Sequence, residues 1–238
     1  MFREIKKKKL ILDNRNPFSV EAVALIKEMN AIDWIYSSMR LDGSDLSEEN
    51  VGRIIKGEFV IEASVSSHAA VSNYEETIRF LYGMVDMGIY LNEEYMMKIY
   101  QSLVKPKVLE YRKSNPVLHM LEYNPPHFKE IEEKIKQFFY WYHSDSCQSN
   151  PIEKAAFLHN KIVEIYPFEI CSEALARTLA QYHLISNGLP PVFWNICEQE
   201  YYEAIHFYLK KEGIQPIYDV LERGVYNKLE VMLQLTAE

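Results

Sequence analysis

Residues 159–191 read HNKIVEIYPFEICSEALARTLAQYHLISNGLPP, and this stretch decides the predicted fold of the chain. A helix leads into it with a complete start, because Asn150-Pro151 supplies an N-cap and a proline suited to the first helical position. That helix should run to about Ile165. Ser172 is then predicted to be the N-cap of a second helix, which ends at Asn187-Gly188. The stretch therefore predicts two consecutive helices.

Helical patterning continues on both sides of this stretch. From Ser19 to Met39 apolar residues recur at helical spacing, with Ser19 as the N-cap and Asp42-Gly43 as the end. Further helices are predicted from Ser47 to near Gly57 and over residues 72–87, 95–103, 128–142, 197–211 and 217–235. Eight glycines and ten prolines are few for 238 residues, which favours long helices over tight-turned sheet. The fold class is therefore predicted to be all-α.

One segment breaks the helical pattern. Residues 111–126 read YRKSNPVLHMLEYNPP, and Pro116 and the terminal double proline exclude a continuous helix. We predict a short β-hairpin flap at this position.

The chain shows no internal repeat, low-complexity segment or flexible linker, so a single compact domain is the simplest organisation. Within it, residues 1–18 are expected to be an N-terminal extension. Residues 19–57 are expected to pack on the core, and residues 58–238 to form the main domain.

Charge and cysteine content restrict the function classes. A net charge of -8 opposes nucleic-acid binding, so the lysine run Lys6–Lys9 is predicted to be a solvated tail. Cys147, Cys171 and Cys197 form no C-x-x-C pair and have no metal-ligand spacing, which fits a reducing compartment. The apolar run Leu10–Leu12 is too short for a signal sequence or a membrane span. A cytoplasmic location without membrane, nucleic-acid or metal binding is expected.

Residues 166–177, YPFEICSEALAR, resemble the signature of the Fic (Fic/Doc) family, whose members usually move AMP from ATP onto a protein hydroxyl. In that family His-Pro-Phe, a variable residue and an acid precede Gly-Asn-Gly-Arg, two variable residues and a second Arg. Residues 37–43, SSMRLDG, are similar to the family's inhibitory motif, a Ser or Thr, three residues, then Glu and Gly or Asn. The resemblance covers roughly residues 20–225 and implies a Fic-fold helical bundle.

The resemblance also implies a catalytic site whose chemical residues are replaced. Tyr166 stands where the family has its general-base His, and a phenol with a reference pKa of about 10 is a poor base at neutral pH. The alternative for Tyr166 is a packed aromatic at a helix end. Ile170 stands where an acid holds magnesium and offers no oxygen, although Glu169 beside it is a second possibility.

The phosphate-binding loop of the family is replaced as well. Cys171, Ser172 and Glu173 take the place of Gly-Asn-Gly, and the Glu173 carboxylate is expected to satisfy the helix dipole that otherwise attracts a phosphate. Ala174 replaces the first Arg and only Arg177 remains. A thiol beside a helix N-terminus can be a nucleophile, but an inert Cys171 is the preferred interpretation.

The resemblance assigns three further groups of residues. The remnants of the nucleotide pocket are Phe168, Cys171, Ser172, Glu173, Arg177, Tyr201 and Tyr202. The residues that match the inhibitory motif are Ser38, Asp42 and Gly43. The residues that match the target-docking flap are Asn115, Val117, Leu118, His119, Met120 and Leu121. We predict an ion pair between Asp42 and Arg177 that ties the N-terminal helix to the core.

Two histidines and one aromatic cluster each have both a structural and a functional interpretation. His159 and His183 form no ligand cluster and are predicted to be packed or surface histidines. Phe138, Phe139, Tyr140, Trp141 and Tyr142 lie all round their helix, so they are predicted to enter the core, with a homodimer contact as the alternative.

These features predict a Fic-family protein with a degraded AMP-transfer site, most simply an inactive binding or regulatory protein that uses its flap. No cofactor is expected, and the partner is an unidentified protein. The main alternative is an atypical nucleotidyl or phosphoryl transferase that acts on protein hydroxyls with ATP and Mg, through Tyr166 or Glu169. A scaffold that binds only its own second copy is a third interpretation. The inactive readings predict a pocket filled by side chains such as Tyr166 and Ile170.

Overall fold

The computed structural model describes residues 1–144 and 150–237, and this part of the chain is helical throughout its core. No described residue belongs to a β-sheet, and the one β-bridge is isolated. The all-α prediction is confirmed. Cys147 lies outside the described residues. The described helices are α1 (Phe2–Asn14), α2 (Val20–Leu41), α3 (Glu48–Ile55), α4 (Val65–Asp86), α5 (Glu93–Val104), α6 (Ile131–His143), α7 (Pro151–Ile165), α8 (Ser172–Ser186), α9 (Glu198–Leu209) and α10 (Gln215–Leu235).

Several helix starts follow the predicted capping chemistry. The side chains of Ser19, Ser47, Asn92 and Asn150 each accept a backbone N–H of the first turn that has no partner within the helix. Helix α4 begins seven residues before the predicted Ser72, because Ser64 accepts the N–H of Ser67 and supplies an earlier cap. The capping residues therefore determine most helix boundaries.

Helix α8 is the centre of the fold. Every residue from Ala174 to Ile185 is buried, which includes the polar side chains of Arg177, Thr178 and Gln181. It packs along α7 and also contacts α4 and α5. A helix with apolar contacts on all sides cannot show a one-sided hydrophobic stripe. Its N-terminus, together with the C-terminus of α7, positions the candidate site.

The N-terminal residues correct one prediction. The expected solvated tail is helix α1, which packs against α10. Ile5 and Leu12 lie seven residues apart on one face and are buried, while Lys8 pairs with Glu230 at 2.9 Å. Two apolar residues spaced two turns apart are sufficient to dock the helix, even among four consecutive lysines.

The flap corrects a second prediction. Instead of two paired strands, residues 111–126 form a loop closed by one antiparallel bridge between Leu118 and Tyr123. A short 3-10 turn, His119–Leu121, fills the space between them. Prolines at 116, 125 and 126 donate no N–H, so a longer ladder lacks donors on both sides.

Three of the five aromatic residues of α6 enter the core, which confirms the prediction for part of the cluster. Phe138, Phe139 and Tyr142 are buried, whereas Tyr140 is 82% exposed. Homodimer contact stays a prediction that light scattering tests. Among the described helices, none has both the length and the apolar character needed to cross a membrane.

Candidate functional site

The candidate site is the junction between α7 and α8. Tyr166 ends α7 with φ 50° and Cys171 precedes α8 with φ 58°, so both adopt the left-handed conformation. For residues other than glycine this conformation is uncommon, and it turns the chain sharply at both ends of the loop. The junction therefore carries one helix C-terminus and one helix N-terminus close together in sequence.

Tyr166 is buried at this junction, with 8% of its surface exposed. Its phenol lies close enough to the carboxyl of Glu173 for the two groups to interact electrostatically. Burial and the negative charge of Glu173 raise the pKa of Tyr166 far above its usual value of 10.0. The phenol therefore stays protonated at neutral pH, which agrees with the packed-aromatic interpretation.

Glu173 occupies the first turn of α8. Its carboxyl lies beside the phenol of Tyr166, and burial raises the pKa of this carboxyl above its usual range. A carboxylate held at a helix N-terminus satisfies donors and the dipole that would otherwise attract an anion. The helix end is therefore occupied by a group of the chain itself.

Ser172 corrects the predicted cap. It is the first residue of α8 and not its N-cap, and that position belongs to Cys171 without a side-chain cap. The Ser172 hydroxyl turns back into the loop, where it accepts the N–H of Phe168 at 3.1 Å and donates to the Phe168 carbonyl oxygen at 3.2 Å. The left-handed turn at Cys171 moves the serine into the helix, so its hydroxyl closes the loop.

Cys171 is exposed at the loop surface. Partial burial of its sulfur, together with the charges of Asp42 and Glu173, raises the pKa of the thiol to about 11. An activated nucleophile needs the opposite shift. The inert interpretation is therefore the one that the electrostatics favour.

The middle of the loop is held by an aromatic stack. Phe168 is fully buried and lies on Tyr100, with ring centroids 3.6 Å apart and planes inclined by 4°. The Tyr100 hydroxyl donates to the Ile170 carbonyl oxygen at 3.2 Å. The Ile170 side chain points to solvent and is 58% exposed, so it does not fill the pocket as predicted.

Glu169 is hydrogen-bonded to the base of the flap. Its carboxylate accepts the N–H groups of Lys113 and Ser114 at 2.9 and 3.1 Å, and the Ser114 hydroxyl at 2.7 Å. The hydroxyl of Ser114 and these N–H groups lower the pKa of the Glu169 carboxyl. The carboxylate oxygens are therefore engaged at the base of the flap.

The second arginine of the signature joins α8 to α2. Arg177 is fully buried and its Nη2 lies 2.5 Å from Oδ1 of Asp42, which confirms the predicted ion pair. Nε donates to the Ser38 hydroxyl at 2.9 Å and Nη2 also donates to the Ser38 carbonyl oxygen at 3.2 Å. Gly43 follows with φ 81°, a left-handed conformation that ends α2 beside this pair. Nη1 donates to the hydroxyl of Tyr201 at 3.2 Å.

The network continues into the core through Tyr201. Its hydroxyl lies 2.8 Å from Nε2 of His159, whose Nδ1 lies 3.1 Å from the side-chain oxygen of Asn160. Burial lowers the pKa of His159 to about 3, so the ring is neutral. His159 and His183 are both buried and hydrogen-bonded, as predicted for packed histidines. Tyr202, the next residue of α9, is only partly buried.

No sequence pattern identified Arg112, the second buried arginine at this junction. Its Nε donates to the Tyr166 carbonyl oxygen at 2.7 Å, Nη1 to that of Ser114 at 2.6 Å, and Nη2 to those of Pro126 and Ile165. It therefore fastens both ends of the flap to the C-terminus of α7. A lone arginine in a polar segment could not be distinguished from a surface residue by its neighbours in sequence.

The predicted flap residues divide between anchors and exposed tips. The side-chain oxygen of Asn115 accepts the N–H of Phe128 at 2.9 Å, and Leu121 is buried. Val117 and Met120 are 55% and 70% exposed. Leu118 makes the closing bridge and His119 is exposed. The anchors hold the flap, and the exposed tips leave an apolar surface.

A helical core around a buried helix, with a strapped flap beside a helix-to-helix junction, is the arrangement of a Fic domain. Residues 90–184 match the family model of the Fic/DOC family. The matched residues include the whole α7–α8 junction, so the region of the candidate site is similar to this family.

The relatives found by sequence comparison have low sequence identity to this chain. The chain is 24% identical over 190 residues to the protein adenylyltransferase fic-1 of Caenorhabditis elegans, which covers 73% of this chain and 35% of the relative. It is 21% identical to the protein adenylyltransferase Fic of Drosophila mojavensis, which covers 96% of this chain and 49% of the relative. The chain thus spans less than half the length of these relatives.

Solved structures agree on the fold. A Fic-domain-containing signaling protein from Bacteroides thetaiotaomicron has a TM-score of 0.86 at 19% identity, over 98% of this chain and 97% of that one. A Fic-1 fragment from Caenorhabditis elegans has a TM-score of 0.83 at 18% identity, over 98% of this chain and 70% of the fragment.

Proposed function

We propose that this chain is a Fic-family protein that does not transfer AMP and acts as a binding or regulatory protein through its flap. One observation carries the proposal: the carboxyl of Glu173 lies beside the buried phenol of Tyr166, where the family resemblance places the phosphate loop and the general base. The two side chains thus fill the positions of the general base and the phosphate loop with groups that suit neither role.

Proton abstraction from a target hydroxyl has no suitable group at this position. A general base works best with a pKa near the operating pH, and burial and Glu173 move the pKa of Tyr166 away from it. Cys171 has its pKa raised to about 11 and is no substitute. His159 lies in the buried network with Tyr201 and donates or accepts there.

Binding of a triphosphate is opposed by charge. The Glu173 carboxylate sits in the first turn of α8, and Ala174 has no cation to offer. Arg177 retains its charge, but its guanidinium is committed to Asp42, Ser38 and Tyr201. Each phosphate would therefore meet a negative group and no free arginine.

The flap supports a binding role. It is fastened to the body by Arg112 and Glu169, while Val117 and Met120 remain exposed. The N–H of Val117 donates to no other described residue, which leaves a main-chain donor for an added strand. In the family that the chain resembles, the flap holds a target segment in this way, and the mode requires no catalytic side chain.

The test is transfer of label from ATP labelled at the α-phosphate, with Mg, to the chain itself and to added protein. Wild type is expected to transfer none. A variant rebuilt with Tyr166→His, Ile170→Asp, Cys171→Gly, Ser172→Asn, Glu173→Gly and Ala174→Arg, in an Asp42→Gly background, is expected to gain labelling. Labelling by wild type above a boiled control would overturn the proposal.

A second function rests on the names of the relatives and on the retained Arg177: an atypical nucleotidyl or phosphoryl transferase that acts on protein hydroxyls. It predicts that wild type transfers label and that Tyr166→Phe or Glu169→Gln abolishes the transfer. Tyr166→Phe removes the hydroxyl while it keeps the buried ring, so loss of folding does not confuse the result.

A further inference from the structure

Beside the flap lies a groove of about 710 Å³ between the flap tip and α9, which we call the flap–α9 groove. Met120 of the flap and Phe207 of α9 give it apolar walls, and Tyr202 lies between them on the same helix. Residues 199, 202, 203, 206 and 210 recur at helical spacing, so one face of α9 lines the groove along its length.

The groove is strongly acidic. Four glutamates line it, Glu122, Glu198, Glu203 and Glu212, against one lysine, Lys210. All four are exposed. Within the described part of the chain, none of the four forms an ion pair.

The unpaired carboxylates distinguish this groove from the rest of the flap region. Glu164, which lies on α7 beneath the flap, is paired with both Lys161 and Lys211. Elsewhere on the surface, glutamates such as Glu76 and Glu94 also have lysine partners. The groove therefore concentrates negative charge that no described residue neutralises in an ion pair, next to an apolar wall.

We infer that the flap–α9 groove binds an extended, basic segment of a partner protein in which lysine or arginine alternates with apolar residues. The inference rests on the proposed function, because it names the partner chemistry of the flap. Apolar residues of the segment face Met120 and Phe207, and its cations face the carboxylates. Successive side chains of an extended segment point to opposite sides. Alternating lysine and apolar residues would therefore place all cations on one side and all apolar side chains on the other.

The dimensions agree with a short segment. Helix α9 has 12 residues, which corresponds to about 18 Å of helix. An extended chain rises about 3.3 Å per residue, so roughly five residues span the groove. Among the described residues, the N–H of Val117 in the flap has no hydrogen-bond partner and is a main-chain donor for such a segment. An anionic ligand such as a nucleotide is disfavoured at the same carboxylates.

The experiment is fluorescence anisotropy with short fluorescein-labelled peptides in which valine alternates with lysine, with serine or with glutamate. The lysine peptide is expected to bind most tightly, and added salt is expected to weaken it, because the contacts lie at the surface. Glu198→Lys with Glu203→Lys is expected to weaken binding of the lysine peptide by about tenfold or more.

The matched control is Glu21→Lys with Glu62→Lys, which makes the same change in net charge at exposed sites away from the groove. Glu21, like Glu198, lies in the first turn of its helix. This control is expected to bind the lysine peptide within about twofold of wild type, since surface charges beyond a Debye length of about 10 Å are screened. Equal loss in both variants would mean non-specific attraction and would overturn the inference.

A flap variant, Val117→Ser with Met120→Ser, separates the inference from the proposed function. Equal binding of all three peptides, lost in the flap variant, overturns the basic-segment inference and leaves a flap-binding function standing. If binding of the lysine peptide is lost only in Glu198→Lys with Glu203→Lys, the result supports a basic segment in the groove. It then contradicts a contribution of the flap to binding. Absence of binding by any peptide overturns the inference, while the ATP-labelling assay still decides the proposed function.

Discussion

Two buried arginines hold opposite sides of the α7–α8 junction, and their charges are balanced in different ways. Arg177 faces the carboxylate of Asp42 at 2.5 Å. Arg112 donates to backbone carbonyl oxygens, among them that of Tyr166 at 2.7 Å. Burial acts to lower the pKa of both guanidinium groups, but the charge of Asp42 raises that of Arg177 overall, whereas that of Arg112 is lowered.

The two arginines also differ in their relation to the family resemblance. Arg177 matches a motif position, whereas Arg112 matches none. Arg177 sits at a position that the family signature specifies, and its carboxylate partner lies in the segment that resembles the inhibitory motif. Arg112 is an architectural residue, because four carbonyl oxygens at the C-terminus of α7 and in the flap depend on one guanidinium. A carbonyl shell gives a buried cation hydrogen bonds without a counter-charge.

The largest effect is expected from Arg112→Leu. The substitution leaves several carbonyl oxygens without donors in a buried position, so the free energy of unfolding should fall by about 3 kcal/mol. Chemical denaturation measures it. Arg112→Lys keeps the charge but loses the planar fork, and should lose less. If Arg112→Leu unfolds at the wild-type denaturant concentration, the anchor role is wrong.

Asp42→Asn tests the other arginine. It leaves the charge of Arg177 buried with neutral partners only, and the free energy of unfolding should fall by about 2 kcal/mol. The 41% exposure of Asp42 keeps this value below that of a fully buried pair. Asp45→Asn, an exposed neighbour without an ion pair in the described part, is the control. Equal stability of the two variants would contradict a structural pair.

The pH dependence of stability tests whether His159, which is linked to Arg177 through Tyr201, is held neutral in the core. Burial holds the pKa of His159 at about 3, against 6.5 for an exposed histidine. The unfolded chain therefore binds more protons than the folded chain between these values, and stability falls as the pH falls below 6.5. Each such histidine contributes about 1.4 kcal/mol per pH unit.

Thermal unfolding between pH 7.5 and 5 is the corresponding measurement. His159→Gln is expected to be less stable at pH 7.5 but to lose stability less steeply on acidification. His119→Gln, at an exposed flap position, should leave the slope unchanged. Identical slopes for wild type and His159→Gln would show that the buried ring does not titrate as described.

The smallest effect is expected from Glu169→Gln. The amide accepts the N–H groups of Lys113 and Ser114 more weakly than the carboxylate does, so the free energy of unfolding should fall by about 0.5–1 kcal/mol. Faster amide hydrogen exchange confined to the flap, with the core unchanged, is the expected signature. Unchanged hydrogen exchange at the flap would contradict the role of Glu169 as an anchor of the flap.

Local patterns predicted the helices, and the resemblance to the Fic signature and inhibitory motif predicted the Asp42–Arg177 pair, although its residues lie 135 positions apart. N-caps such as Ser19 and Asn150 have short-range signatures, and the signature motif fixes the position of Arg177. Arg112 and the packing of α1 could not be predicted in this way. Both depend on contacts between residues that are distant in sequence, such as Arg112 with Tyr166 or Lys8 with Glu230.

The positions of individual side chains in the loop between α7 and α8 could not be predicted from local sequence patterns either. Ser172 has the chemistry of an N-cap, and only the left-handed conformation of Cys171 moves it into the helix. Ile170 is apolar, but its carbonyl oxygen is held by Tyr100 and its side chain points outward. Tertiary contacts at the loop override the local preferences of both residues.

The central claim is that the α7–α8 junction binds no nucleotide, because Tyr166 stands at the position of the general base and the carboxyl of Glu173 at that of the phosphate loop. Calorimetric titration of the purified protein with ATP and Mg tests it most directly, with circular dichroism to show that the protein is folded. The account predicts no detectable heat of binding. Saturable binding at micromolar ATP would contradict it, because Arg177 and the α9 side would then still form a nucleotide site.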